Sequence, residues 1–80
     1  MMRWRLRELM GRYQSETGER LTYEEITVAT GLSPNTLSKL SMNKAGRTDL
    51  ETLEKLLDFF SKKLGKQLDT NDLLTWLPEA

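Results

Sequence analysis

The 80-residue chain balances 12 basic against 12 acidic side chains and contains neither Cys nor His, which excludes disulfide frameworks, thiolate or imidazole metal sites and imidazole catalysis. With 38% hydrophobic and 30% charged residues it reads as one small folded domain, too shallow to perturb the carboxylates, lysines and hydroxyls that remain for chemistry. A binding module is therefore expected over 1–80, with no catalytic residue, no cofactor and no metal.

The elements follow from apolar spacing and capping residues. Leu6, Leu9, Met10 and Tyr13 predict an amphipathic helix over 3–14, and Thr17-Gly18 marks the loop that follows. Thr22 with Glu25 three residues later is a capping-box pattern, so a second helix is expected over 23–30, closed by Gly31. Ser33 as N-cap and Pro34 at the first helical position predict a third helix over 34–42. Asn43 to Arg47 reads as a loop.

Thr48 and Glu51 repeat the capping pattern and open the longest predicted helix, over 49–64. Leu50, Leu53, Leu57, Phe60 and Leu64 form its apolar stripe with Leu56 and Phe59 flanking it, Lys62 and Lys63 suit its C-terminal dipole, and Gly65 ends it. A fifth helix is expected over 70–77, capped by Asp69 or Thr70 and stopped by Pro78. No segment reads as a strand, so the fold class is all-α with five helices. Trp4, Tyr13, Phe59 and Phe60 are expected in the core, whereas Trp76 and Leu77 are candidates for a two-fold interface. No apolar run reaches the roughly 18 residues needed to cross a bilayer, and Arg3, Arg5 and Arg7 interrupt the start as a signal peptide does not. A cytoplasmic protein without a membrane partner is expected.

The segment 23–42 carries the functional information. Two helices of about eight residues joined only by Gly31-Leu32-Ser33 must cross steeply, as in a helix-turn-helix unit. Ile26, Leu32, Leu37 and Leu40 can meet inside that crossing, which leaves Asn35, Thr36, Ser38 and Lys39 on the outer face. Polar, short and basic side chains without an acid suit a helix lying in a major groove beside phosphates. The zero net charge also hides a split, with +3 over 1–47 and −3 over 48–80. From Gly31 to Arg47 there are three cations and no anion.

LTYEEITVATGLSPNTLSKL resembles the Cro/C1-type helix-turn-helix family, the lambda-repressor-like domains of phage repressors and small bacterial regulators. The resemblance extends to LRELMGRY as a first helix and to DLETLEKLLDFFSKKL and DTNDLLTWLP as a fourth and fifth. Gly31, Leu32, Ser33, Ile26, Leu37 and Leu40 match the family's turn and core positions. Four positions depart from its pattern: Tyr23 stands for a usual Gln, Thr27 for a usual Ala, Val28 for a polar residue, and Pro34 for a residue that often supplies a base-reading amide. The resemblance implies a sequence-specific regulator of transcription, a repressor, that binds double-stranded DNA as a homodimer. An antitoxin-like or adaptor protein of the same fold, whose main partner is another protein, is the alternative.

With Pro34 lacking a donor, base readout falls to Asn35, Thr36 and Lys39. Asn35 offers a bidentate amide for adenine, and Lys39 lies one turn further on. Tyr23, Ser33, Ser38, Lys44 and Arg47 are the candidate phosphate contacts. Some of Arg3, Arg5 and Arg7 are expected to form i,i+4 pairs, or longer-range pairs with acids of the fourth helix, rather than to touch DNA.

Overall fold

A computed structural model describes residues 1–44 and 47–78. In chain order it contains β1 (Met2–Trp4), α1 (Leu6–Thr17), α2 (Tyr23–Thr30), α3 (Pro34–Ser41), α4 (Leu50–Leu64), α5 (Thr70–Leu73) and β2 (Leu74–Trp76). The five helices expected of an all-α domain are present, joined by one short β-ribbon that the sequence reading did not contain.

The caps explain the central boundaries. Thr22 Oγ1 accepts the Glu25 N–H at 3.3 Å at the start of α2, and Gly31 closes that helix with a left-handed φ of 79°. Only two residues later Ser33 Oγ accepts the Thr36 N–H at 3.1 Å, with Pro34 occupying the first turn of α3. Each cap satisfies an amide that a helix of eight residues cannot satisfy internally. At α4 the cap is Asp49 rather than Thr48: its Oδ1 accepts the Thr52 N–H at 2.7 Å, so the helix begins at Leu50.

The ends of the chain depart from expectation. Residues 2–4 pair antiparallel with 74–76, in the register Met2↔Trp76, Arg3↔Thr75 and Trp4↔Leu74. Consequently α1 starts at Leu6, and α5 is four residues long instead of eight. Asp69 and Asp72 form a reciprocal capping box, but so short a helix has little stability of its own, and strand pairing supplies the backbone partners beyond Leu73. At the other end α1 runs on to Thr17, past the predicted loop start, with Thr17 Oγ1 bonding the Tyr13 carbonyl at 2.7 Å.

The core lies where the five helices converge. Leu6, Ile26, Leu37, Leu56, Phe60 and Leu73 are fully buried within it. Trp4, Tyr13 and Phe59 join them, as expected, although Trp4 does so from β1 and not from a helix. The buried side of α4 is centred on Leu56, Phe59 and Phe60; Leu53, Leu57 and Leu64 are only partly buried, and Leu50 is 76% exposed. The stripe read from the sequence was thus rotated about the helix axis. Its first member, Leu50, stands half a turn around the helix from Phe59 and so faces solvent.

Thr27, the position where the resemblance implied Ala, has a buried Oγ1 with no hydrogen-bond partner among the described residues. An unpaired buried hydroxyl costs about 1–3 kcal/mol. Thr27→Val keeps the shape, removes the hydroxyl and has a similar helix propensity. It should therefore raise stability by about 1 kcal/mol, read as a higher urea midpoint with unchanged slope. An unchanged or lower midpoint counts against an orphaned hydroxyl.

Candidate nucleic-acid interface

The buried Ile26 of α2 and Leu37 and Leu40 of α3 face inward across the turn, as the spacing implied. Turning those leucines inward turns the rest of α3 outward: Asn35 and Lys39 are exposed, whereas Thr36 and Ser38 are half-buried. Thr36 is further engaged by its own cap, since Thr36 Oγ1 and Ser33 Oγ share a hydrogen bond of 2.9 Å. Of the three candidate base readers, Asn35 and Lys39 have no side-chain hydrogen bond among the described residues, while the Thr36 hydroxyl already shares one.

The candidate phosphate contacts divide in the same way. Lys44 and Arg47 are exposed. With Thr36, Lys39, Asp49 and Thr52 they line an open hollow of about 690 Å³ between α3 and the start of α4. Ser33 is exposed at the tip of the turn. Tyr23 is half-buried, and its hydroxyl donates to Ser41 Oγ at 2.5 Å, with Ser41 itself buried. That bond joins the start of α2 to the end of α3, so this tyrosine braces the crossing angle and its proton is already committed within the protein. Val28 is 81% exposed, an isolated aliphatic on the outer side of α2.

Asp49 is the residue of this hollow that the sequence reading missed. Hydrogen bonds from the Thr52 side chain and from the Thr52 backbone N–H hold its carboxyl below the usual carboxylate range. An anion two residues from Arg47 limits how far a phosphate can enter from the α4 side. The signal for it was present, because Asp is a better N-cap than Thr. Arg7, which the sequence reading set aside as a DNA contact, and Arg20, which it did not single out, flank a second open hollow beside Thr22 and Tyr23 at the start of α2. No local motif announces them, since 13 positions separate the two along the chain.

Arg3 and Arg5 form local ion pairs, with Glu8 of α1, and among the described residues neither pairs with an acid of α4. Arg5 Nε donates to Glu8, Arg3 lies 3.5 Å from it, and the bond from Arg5 draws the Glu8 carboxyl below its ordinary range. The strand that replaces the predicted start of α1 folds these side chains back over the first helical turn. Trp76 is 65% exposed and Leu77 is 40% exposed, as suits candidates for an interface, but they lie on and just after β2 rather than on a helix.

Among the described residues no group of acidic side chains could hold a metal ion, and no helix is long and apolar enough to cross a membrane. Comparison with curated proteins and with solved structures returns no significant match. Comparison with protein families does: the model of the Cro/C1-type HTH DNA-binding domain matches residues 5–79. That span takes in every helix described above and the whole of the exposed face of α3. The chain belongs to the family of Cro/C1-type HTH DNA-binding domains.

Proposed function

We propose that this chain is a sequence-specific regulator of transcription, a repressor, which lays α3 in the major groove of an operator. The carrying observation is that Asn35 and Lys39 stand exposed on α3 while Leu37 and Leu40 behind them are buried. Asn35 and Lys39 read base edges, with Thr36 as a third reader once its bond to Ser33 exchanges. Lys44 and Arg47 hold phosphates on one side of α3, assisted by Ser33 and Ser38, and Arg7 and Arg20 do so beside Tyr23 on the other. The work is binding alone, in the cytoplasm and without cofactor or metal.

One such unit reaches few bases, so two copies on adjacent half-sites gain affinity through linkage. The ribbon is the surface that supports a homodimer. Met2 and Trp76 are cross-strand partners and both are largely exposed. The same apolar pair favours a second reading, in which the partner held there is a different protein, as in an antitoxin-like regulator.

Selection from a randomised duplex library tests the proposal, with the folded state checked in parallel. A two-fold symmetric sequence should emerge, its half-sites about one helical turn apart. Asn35→Ala then relaxes discrimination at one base pair per half-site by about 1–3 kcal/mol. Lys44→Ala weakens all duplexes alike and makes the salt dependence shallower by about one ion per site. Folded protein that enriches no sequence overturns the regulator reading. An asymmetric single site bound by a protein of monomer mass overturns the dimer.

A further inference from the structure

We infer that Asn43 is a positioning residue for the DNA-reading face: its carboxamide ties the turn that leaves α3 to the terminal ribbon and so sets Lys44 beside Lys39. The inference rests on the DNA-binding reading above and adds to it the element that fixes the end of the recognition helix.

The register of the ribbon supplies the donor. Arg5 N–H bonds the Leu73 carbonyl at 2.6 Å, and Leu77 N–H bonds the Met1 carbonyl at 2.7 Å. Residues 1, 3 and 5 therefore direct their backbone groups at β2, and those of Trp4 point away from it. Asn43 Oδ1 accepts the Trp4 N–H at 2.6 Å. The Trp4 side chain is 7% exposed, so this end of the tether is anchored in the core.

The other end of the tether is the exit of α3. Asn43 has a φ of 56°, and among the described residues no other non-glycine has a positive value. Asn43 N–H bonds the Leu40 carbonyl at 3.1 Å, and Lys44 N–H bonds the Lys39 carbonyl at 2.9 Å. This pair of bonds is a Schellman turn with Asn at its left-handed position. It brings the backbone of Lys44 back onto that of Lys39, and both side chains line the hollow between α3 and α4. Met42, just before the turn, is 48% exposed and gives it no deep apolar anchor. The Asn43 carboxamide is what connects the turn to the ribbon.

Glycine separates this role from simple capping. Gly adopts the left-handed conformation at no steric cost, so a residue that only caps loses nothing on becoming Gly. A residue that also tethers loses its acceptor. The test is a double-mutant cycle on a duplex carrying the selected operator, together with amide hydrogen exchange on the free protein. Lys44→Ala should weaken binding by the wild-type chain about fivefold to tenfold. In an Asn43→Gly background the same change should cost less than about twofold, because Lys44 is no longer held in place. Trp4 amide protection should fall in Asn43→Gly while that of Arg5 persists, and Asn43→Asp, which keeps an acceptor there, should restore it.

An equal cost of Lys44→Ala in both backgrounds overturns the positioning role, and so does unchanged Trp4 protection in Asn43→Gly. A wild-type chain that binds no duplex instead removes the DNA reading, and the inference falls with it. The wild-type control therefore tells the two failures apart.

Discussion

Phe60→Ala should leave much of the protein unfolded at physiological temperature, with a loss of about 3–5 kcal/mol. Phe60 is fully buried, and its ring meets that of Phe59 edge-on, with centroids 5.2 Å apart and planes at 85°. Truncation removes the transfer energy of the ring, the edge-to-face contact and the packing of the leucines around it, and a cavity remains. A chain of 80 residues has about 4–12 kcal/mol of stability in all, so this one change consumes a large part of it. Circular dichroism should show the midpoint falling by at least about 12 °C. Leu50→Ala is the matched control, since the same helix holds Leu50 76% exposed. It should move stability by no more than about 0.5 kcal/mol. Comparable losses in the two variants would mean that the buried side of α4 is wrongly placed.

Lys39→Glu should weaken operator binding by about two powers of ten while the protein stays folded. Lys39 is exposed on the face of α3 opposite its buried leucines, so its replacement removes a charge-assisted contact without opening the core. The new carboxylate also adds repulsion against phosphates, and the salt dependence of binding should become shallower. Lys39 lies in the last turn of α3, where a cation suits the helix dipole, so a glutamate there costs up to about 1 kcal/mol of stability. Lys39→Gln separates the effects: it removes the contact without the repulsion and should fall between wild type and Lys39→Glu in affinity. Binding by Lys39→Glu that matches the wild type would remove α3 from the interface.

These two positions differ in how plainly they could be read. Lys39 belongs to a stretch in which every determinant is local. Thr22 caps the amide three residues on, Gly31 ends α2, and Ser33 with Pro34 starts α3, so both helix boundaries and the outward face follow from neighbours in sequence. Phe60 was legible as core from its spacing, but the centre of the buried face was not. Spacing defines a stripe along a helix, and the elements packed against it decide which side of the stripe is covered.

The sequence by itself determined the five helices, the caps between α2 and α3, and the polar face that includes Asn35 and Lys39. Only the tertiary structure decided the ribbon, the inward commitment of Tyr23 and the tether at Asn43. Arg3 pairs with Thr75, Tyr23 bonds Ser41, and Asn43 accepts from Trp4, contacts that join residues far apart along the chain. Helix signals repeat within a few residues because the helical hydrogen bond does. A strand of three residues has no such internal bond, and its sequence is silent until a partner from the other end of the chain lies beside it.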